Sequence, residues 1–115
     1  MHEKFSVKLL TDAMDFLDGL DEKARDKIIY NIHKARSSND KELFKKLDND
    51  IWEFRTLFNK TFYRLLAFWD NIGKEQTLVI GTSGFIKKTK KIPKSEIEKA
   101  RVIRKFYFEQ KLKNN

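Results

Sequence analysis

Arg64 is the only charged residue inside TFYRLLAFW, the run from Thr61 to Trp69. A guanidinium among large apolar neighbours is costly unless it meets an anion or reaches the rim of a sheet. Two readings are open: a structural ion pair, with Glu53 as the nearest candidate, or a group held ready for an anionic ligand. Arg55 stands in IWEFR on the same strand side as Glu53. Lys87 and Lys88 close the apolar stretch TLVIGTSGFIKK, and Lys87 has the parity of Ser83 and Phe85. If these strands are neighbours, Arg55, Arg64 and Lys87 line one sheet face. Such a face suits RNA: it grips phosphates and can neutralise a phosphorane-like transition state. A lysine, with a pKa ordinarily near ~10.4, becomes a useful proton carrier only beside other cations.

Other chemistries lack their residues. There is no cysteine, so neither a disulfide nor a cysteine-based metal site exists. The two histidines are His2, near the N-terminus, and His33, one residue off the apolar face of its helix. No Ser-His-Asp set, P-loop, dinucleotide fingerprint or HExxH occurs. Asp48 and Asp50 alone are too few for a metal site. No metal and no cofactor are expected.

The elements that must position these cations follow from periodicity. Thr11 is a candidate N-cap for a helix carrying Met14, Phe16 and Leu17, which Gly19 ends. Asp21 caps a second helix, where Ala24, Ile28, Ile32 and Ala35 share one face. The two form an αα-hairpin with a tight connection, ended by Ser37, Ser38, Asn39 and Asp40. Alternation of Phe5, Val7 and Leu9 allows a short strand around Lys4 to Leu9. From Asp50 to Phe58 the period is two, with Trp52, Phe54 and Phe58 opposite Glu53 and Arg55. Asn59-Lys60 makes a tight hairpin turn, and Thr61 to Trp69 is the central strand. Asp70 to Glu75 forms the next turn, with Gly73 its special residue. Counting from there puts Arg64 level with Gly81 to Ser83. Thr77 to Lys88 is the third strand of an antiparallel meander, and Gly81 and Gly84 mark a bulge or a close backbone approach. Pro93 opens a final helix, with Ser95 and Glu98 as a capping box. Its stripe of Ile97, Ala100, Ile103 and Tyr107 packs inward, with Arg101, Arg104 and Lys105 elsewhere, and Lys111 to Asn115 is a frayed tail. The expected fold is α+β in a single domain spanning 1–115.

Charge is distributed unevenly. Residues 1–83 carry 14 Lys+Arg and 14 Asp+Glu, whereas residues 84–115 carry 11 and 3. The whole excess of +8 lies in the last third, which suggests a polyanionic partner, nucleic acid above all. The lysine run Lys87, Lys88, Lys90, Lys91 and Lys94 is either a solvated turn or a surface that holds that partner. The first residues are too charged for a secretory signal, and no window approaches 18 apolar residues. No membrane association and a cytoplasmic location are expected.

The order IWEFR, TFYRLLAFWD and LVIGTSGFIKKTKKIPKSEIEKAR resembles the toxins of the RelE/ParE toxin–antitoxin superfamily, in particular the HigB-like, phage-derived branch. Trp52-Glu53-Phe54-Arg55, Tyr63-Arg64-Leu65-Leu66 and Gly84 to Pro93 (GFIKKTKKIP) match its motifs, the last most specifically. LTDAMDFLDGLDEKARDKI resembles the branch's helical hairpin more weakly. The resemblance implies an N-terminal helical hairpin on a small twisted, mostly antiparallel sheet with a C-terminal helix. It also implies metal-independent cleavage of mRNA, usually on the ribosome, and neutralisation by a helix-turn-helix antitoxin. Carried over residue by residue, Arg64, Lys87 and Arg55 become catalytic. Lys88 orients the phosphate, and Lys90, Lys91, Lys94 and Arg101 join it in RNA binding. Many relatives carry histidine or asparagine before the Gly-Phe, where this chain has Ser83. The rival expectations are a ParE-like toxin that binds DNA gyrase, a non-catalytic nucleic-acid-binding protein, and an inactive phage relic.

Overall fold

A computed structural model describes residues 3–72 and 77–114. In chain order the elements are β1 (Ser6–Leu9), α1 (Thr11–Asp18), α2 (Glu22–Ala35), β2 (Phe44–Lys46), β3 (Trp52–Phe58), β4 (Thr61–Asp70), β5 (Leu78–Lys87) and α3 (Lys94–Lys113). The strands form one mixed sheet in the order β1-β5-β4-β3-β2. β1 pairs parallel with β5, and the other pairings are antiparallel. The fold is α+β, as expected.

β4 sits at the centre because its run of large apolar residues can be buried on both faces. Tyr63, Leu65 and Ala67 point to one face, where they meet Ala13 and Leu17 of α1 and Ala24, Ile28, Ile32 and Ala35 of α2. Leu66 points to the other, where it joins Ile51, Phe85 and Ala100 of α3, with Ile92 and Ile97 packed beside them. Phe68 continues on that face against Tyr107 and Phe108, with ring centroids 5.3 Å apart in each case. Asp70, fully buried at the end of β4, accepts from Tyr107 Oη at 2.6 Å and pairs with Lys111. Burial, reinforced by the Asp70 hydrogen bond, raises the Tyr107 phenol above its ordinary range.

The turns follow their residues. Asn59 and Lys60 have φ of 50° and 63°, the left-handed pair that a two-residue hairpin needs. Asp21 caps α2, its carboxylate accepting from Ala24 N at 2.9 Å. Both glycines of β5 meet a close approach: a Cβ on Gly81 would lie 2.6 Å from Leu9 Cδ2. A register shift at Leu66/Ala67 leaves Thr82 unpaired between Gly81 and Ser83, and Thr82 Oγ1 donates to Leu66 O at 3.1 Å. Gly84 lets α1 close on the sheet, because a Cβ there would lie 2.6 Å from Phe16 Cγ.

Several expectations are corrected. Thr11 is inside α1, whose N-cap is Leu10 without a side-chain bond. Met14 is exposed, whereas Leu17 is buried and Phe16 packs against the core, with Ala13 completing the buried face. Ser95 and Glu98 form no capping box: Pro93 is the N-cap and α3 begins at Lys94. The fixed φ of proline presets the start two residues earlier. Lys111 to Lys113 continue α3, because Lys111 is tied to Asp70. Arg64 pairs with Phe85, not with Gly81 to Ser83, since the connection runs from Asp70 to Leu78. Gly73 lies outside the described residues. β2 was not foreseen; its Phe44 stacks on Phe54 at 4.3 Å and on Trp52 at 4.9 Å.

Replacing Gly84 by alanine should lower stability by about 1–3 kcal/mol, as overpacking does. Urea denaturation measures this; an alanine variant as stable as the wild type would mean that Phe16 moves aside at no cost.

Candidate nucleic-acid interface

Cross-strand register decides which side chains share a face. Arg55 of β3 is directly opposite Arg64 of β4, and Leu57 is opposite Phe62. On the other side of β4, Phe62 is opposite Lys87 and Arg64 is opposite Phe85. Arg55, Arg64 and Lys87 therefore line one face, as parity predicted. It is the face that α3 covers, but α3 packs over Leu66, Phe68 and Asp70. The half nearer the Asn59-Lys60 hairpin stays open, with Leu57 57% and Phe62 47% exposed.

The open half is a shallow pocket of about 370 Å³, lined by Arg55, Phe62, Arg64, Lys87, Lys88, Thr89 and Lys90. β5 ends at Lys87, so Lys88 is not on the opposite face of a strand. It begins the bend toward α3 and lines the same pocket as Lys87. Ile92 anchors the far side of this bend in the core beneath α3. Lys91 and Lys94 are exposed, and neither lines this pocket. Arg101 is engaged elsewhere, in ion pairs with Asp48 and Glu98. Arg104 packs over the Phe108 ring at 5.0 Å and reaches Asp50 at 3.9 Å.

Arg64 forms the buried floor, 3% exposed. Its Nε is 2.9 Å from Glu53 Oε1, and its Nη1 donates to Tyr63 O at 3.1 Å. The Nε–Oε1 contact is a close ion pair, and neither atom has another partner among the described residues. Nη2 has no hydrogen-bond partner among the described residues. Burial pulls the Arg64 guanidinium below its ordinary range; Glu53 works against that, and Arg55 opposite adds to it. Even so lowered, an arginine remains charged at neutral pH. The structural reading of Arg64 and the ligand-binding reading are thus compatible: one carboxylate holds it, and a donor is left over.

Arg55 is less buried and only loosely held, 3.9 Å from the exposed carboxylate of Glu42. Lys87, Lys88 and Lys90 pair with no carboxylate among the described residues. Five cations thus face two carboxylates. An incoming phosphate would relieve their mutual repulsion. Ser83 is 1% exposed and opposite Leu66. It cannot reach a ligand in the open half. His33 is exposed on α2, with Arg36 Nη1 3.3 Å from its Nδ1. Among the described residues no three His, Asp or Glu side chains converge to hold a metal ion. No described helix is long and apolar enough to cross a membrane.

Sequence reasoning missed Phe62. Its signal was its parity, two residues before Arg64 on the same strand.

The family model for phage derived protein Gp49-like (DUF891) matches residues 15–105, most of the chain. No curated protein matches the sequence.

Breaking the Glu53–Arg64 pair should be costly in either direction. Glu53→Leu leaves a buried cation and should lose about 3–5 kcal/mol, whereas Glu53→Leu with Arg64→Met should recover much of it. A double-mutant cycle by urea denaturation measures the coupling, and strictly additive losses would show that the pair is not a unit.

Proposed function

The chain belongs to the phage-derived Gp49-like family, and on that premise we propose that it is the toxin of a type II toxin–antitoxin pair, a HigB-like mRNA endoribonuclease of RelE/ParE-like fold that acts on the ribosome without a metal. Membership supports the toxin half of this reading, because the family is one of RelE/toxin-like proteins. The observation that carries the nuclease half is the alignment of Arg55, Arg64 and Lys87 on an open half-face of the sheet.

In this reading the 2′-hydroxyl oxygen of the substrate attacks the adjacent phosphorus. The bond from phosphorus to the 5′ oxygen breaks, leaving a 2′,3′-cyclic phosphate and a 5′-hydroxyl. The 2′-hydroxyl loses its proton and the 5′ oxygen takes one up. Negative charge grows on the non-bridging oxygens, and preorganised donors aimed at them are the main means of lowering the barrier. Arg64 suits that role best: it is buried, fixed by Glu53, and has Nη2 to spare. Lys87 acts beside it, with Arg55 and Lys88 orienting the phosphate. Lys90 and Lys91 on the bend, with Lys94 at the start of α3, hold backbone phosphates further along the RNA. Arg101 would do so only by leaving Asp48. A cognate helix-turn-helix antitoxin would silence the protein.

Arg64→Ala is a poor test, because it strands Glu53 in the core. Arg55→Ala and Lys87→Ala are better, since both side chains lie at the rim. Each should lower the cleavage rate about 10²–10³-fold, as loss of one transition-state donor does, while circular dichroism stays unchanged. Mapping of RNA 5′ ends after induction should show discrete cuts within open reading frames. Growth arrest with DNA damage and no such cuts would favour a gyrase poison and overturn the nuclease reading.

A further inference from the structure

The open half-face holds one aromatic ring that the cation chemistry does not use. Phe62 is 47% exposed, although its strand neighbours Tyr63 and Arg64 are buried. Its cross-strand neighbours on the same face are Leu57, 57% exposed, and Lys87. The Arg64 guanidinium carbon lies 5.9 Å from its ring centroid. The ring thus has a cation on two sides and an apolar shelf on the third. Solvation of two large apolar side chains next to each other is unfavourable. A buried arginine beside an exposed phenylalanine is also the reverse of the usual order.

We propose that Phe62, extended by Leu57, is a stacking platform for an unpaired nucleobase next to the phosphate held by Arg55, Arg64 and Lys87. The substrate class is then single-stranded RNA with a base turned out of its stack. The proposal rests on the nuclease reading above. A base within a duplex has both faces covered, so only an unstacked one can lie on an aromatic ring. The juxtaposition fits the spacing of a nucleotide: the ring takes the base and the flanking cations take the phosphates on either side. Phenylalanine offers no hydrogen bond to a base edge, so this platform tolerates any base and holds position without reading sequence.

The test pairs a change in the ring with a change in the base. Short single-stranded RNAs made uncleavable by 2′-O-methylation carry one abasic site, moved along the strand. Their affinities are measured for the wild type and for Phe62→Leu, which keeps an exposed apolar side chain and does not threaten the fold. The wild type should lose about 5- to 150-fold in affinity at one abasic position, the range set by base–aromatic stacking. Phe62→Leu should lose as much with intact RNA and lose nothing further at that abasic position. Phe62→Trp should bind as the wild type does. An abasic penalty that survives in Phe62→Leu, or wild-type binding with no sensitive position, would overturn the platform and leave the nuclease reading standing. A folded wild type that binds no free RNA even at low salt would overturn the platform alone, because the nuclease reading places cleavage on the ribosome.

Discussion

The buried pair of Glu53 and Arg64 is the constraint around which the rest is arranged. Two opposite charges sit in adjacent central strands, between the apolar core under α3 and the open half-face that holds Arg55 and Lys87. Desolvating them is expensive, and a single close contact returns only part of that cost. A purely structural pair would be expected to satisfy both partners. Here the guanidinium is held in place and left short of partners, which is how a protein keeps a donor ready for a ligand.

The rest of the fold determines how much of that guanidinium a ligand can reach. α1 and α2 close one face of the sheet, and Gly84 allows the contact. α3 closes half of the other, held at one end by Ile92, Ile97 and Ala100 and at the other by Tyr107 and Lys111 on Asp70. Because both ends are anchored, the bend from Lys88 to Pro93 has to cross beside the open half. Lys88 and Lys90 are thereby brought to the rim of the Arg64 pocket. The same covalent connection that ends the sheet completes the cationic rim.

Much of this was legible in the sequence, and the losses have physical reasons. Parity placed Arg55, Arg64 and Lys87 on one face, because side-chain alternation in a strand is strict. Asp21 was readable as a cap because its carboxylate acts locally. Thr11 and Ser95 were misread because a capping residue type also occurs inside a first turn, and Leu10 and Pro93 take the cap positions. The level of Arg64 was off by two residues because neither the bulge at Thr82 nor the length of the turn after Asp70 leaves a mark in the hydrophobic pattern. The commitment of Arg101 to Asp48, far apart in sequence, could not be foreseen. The lysine run could be read only as basic; its bend around the pocket is a property of the fold.

The central claim is that arranged cations, without a metal, drive attack by the substrate's own 2′-hydroxyl. The most direct measurement is the chemistry of the ends left on mRNA when the purified protein is added to ribosomes programmed with it. The account predicts 2′,3′-cyclic phosphate and 5′-hydroxyl termini. Termini bearing a 3′-hydroxyl and a 5′-phosphate would contradict it.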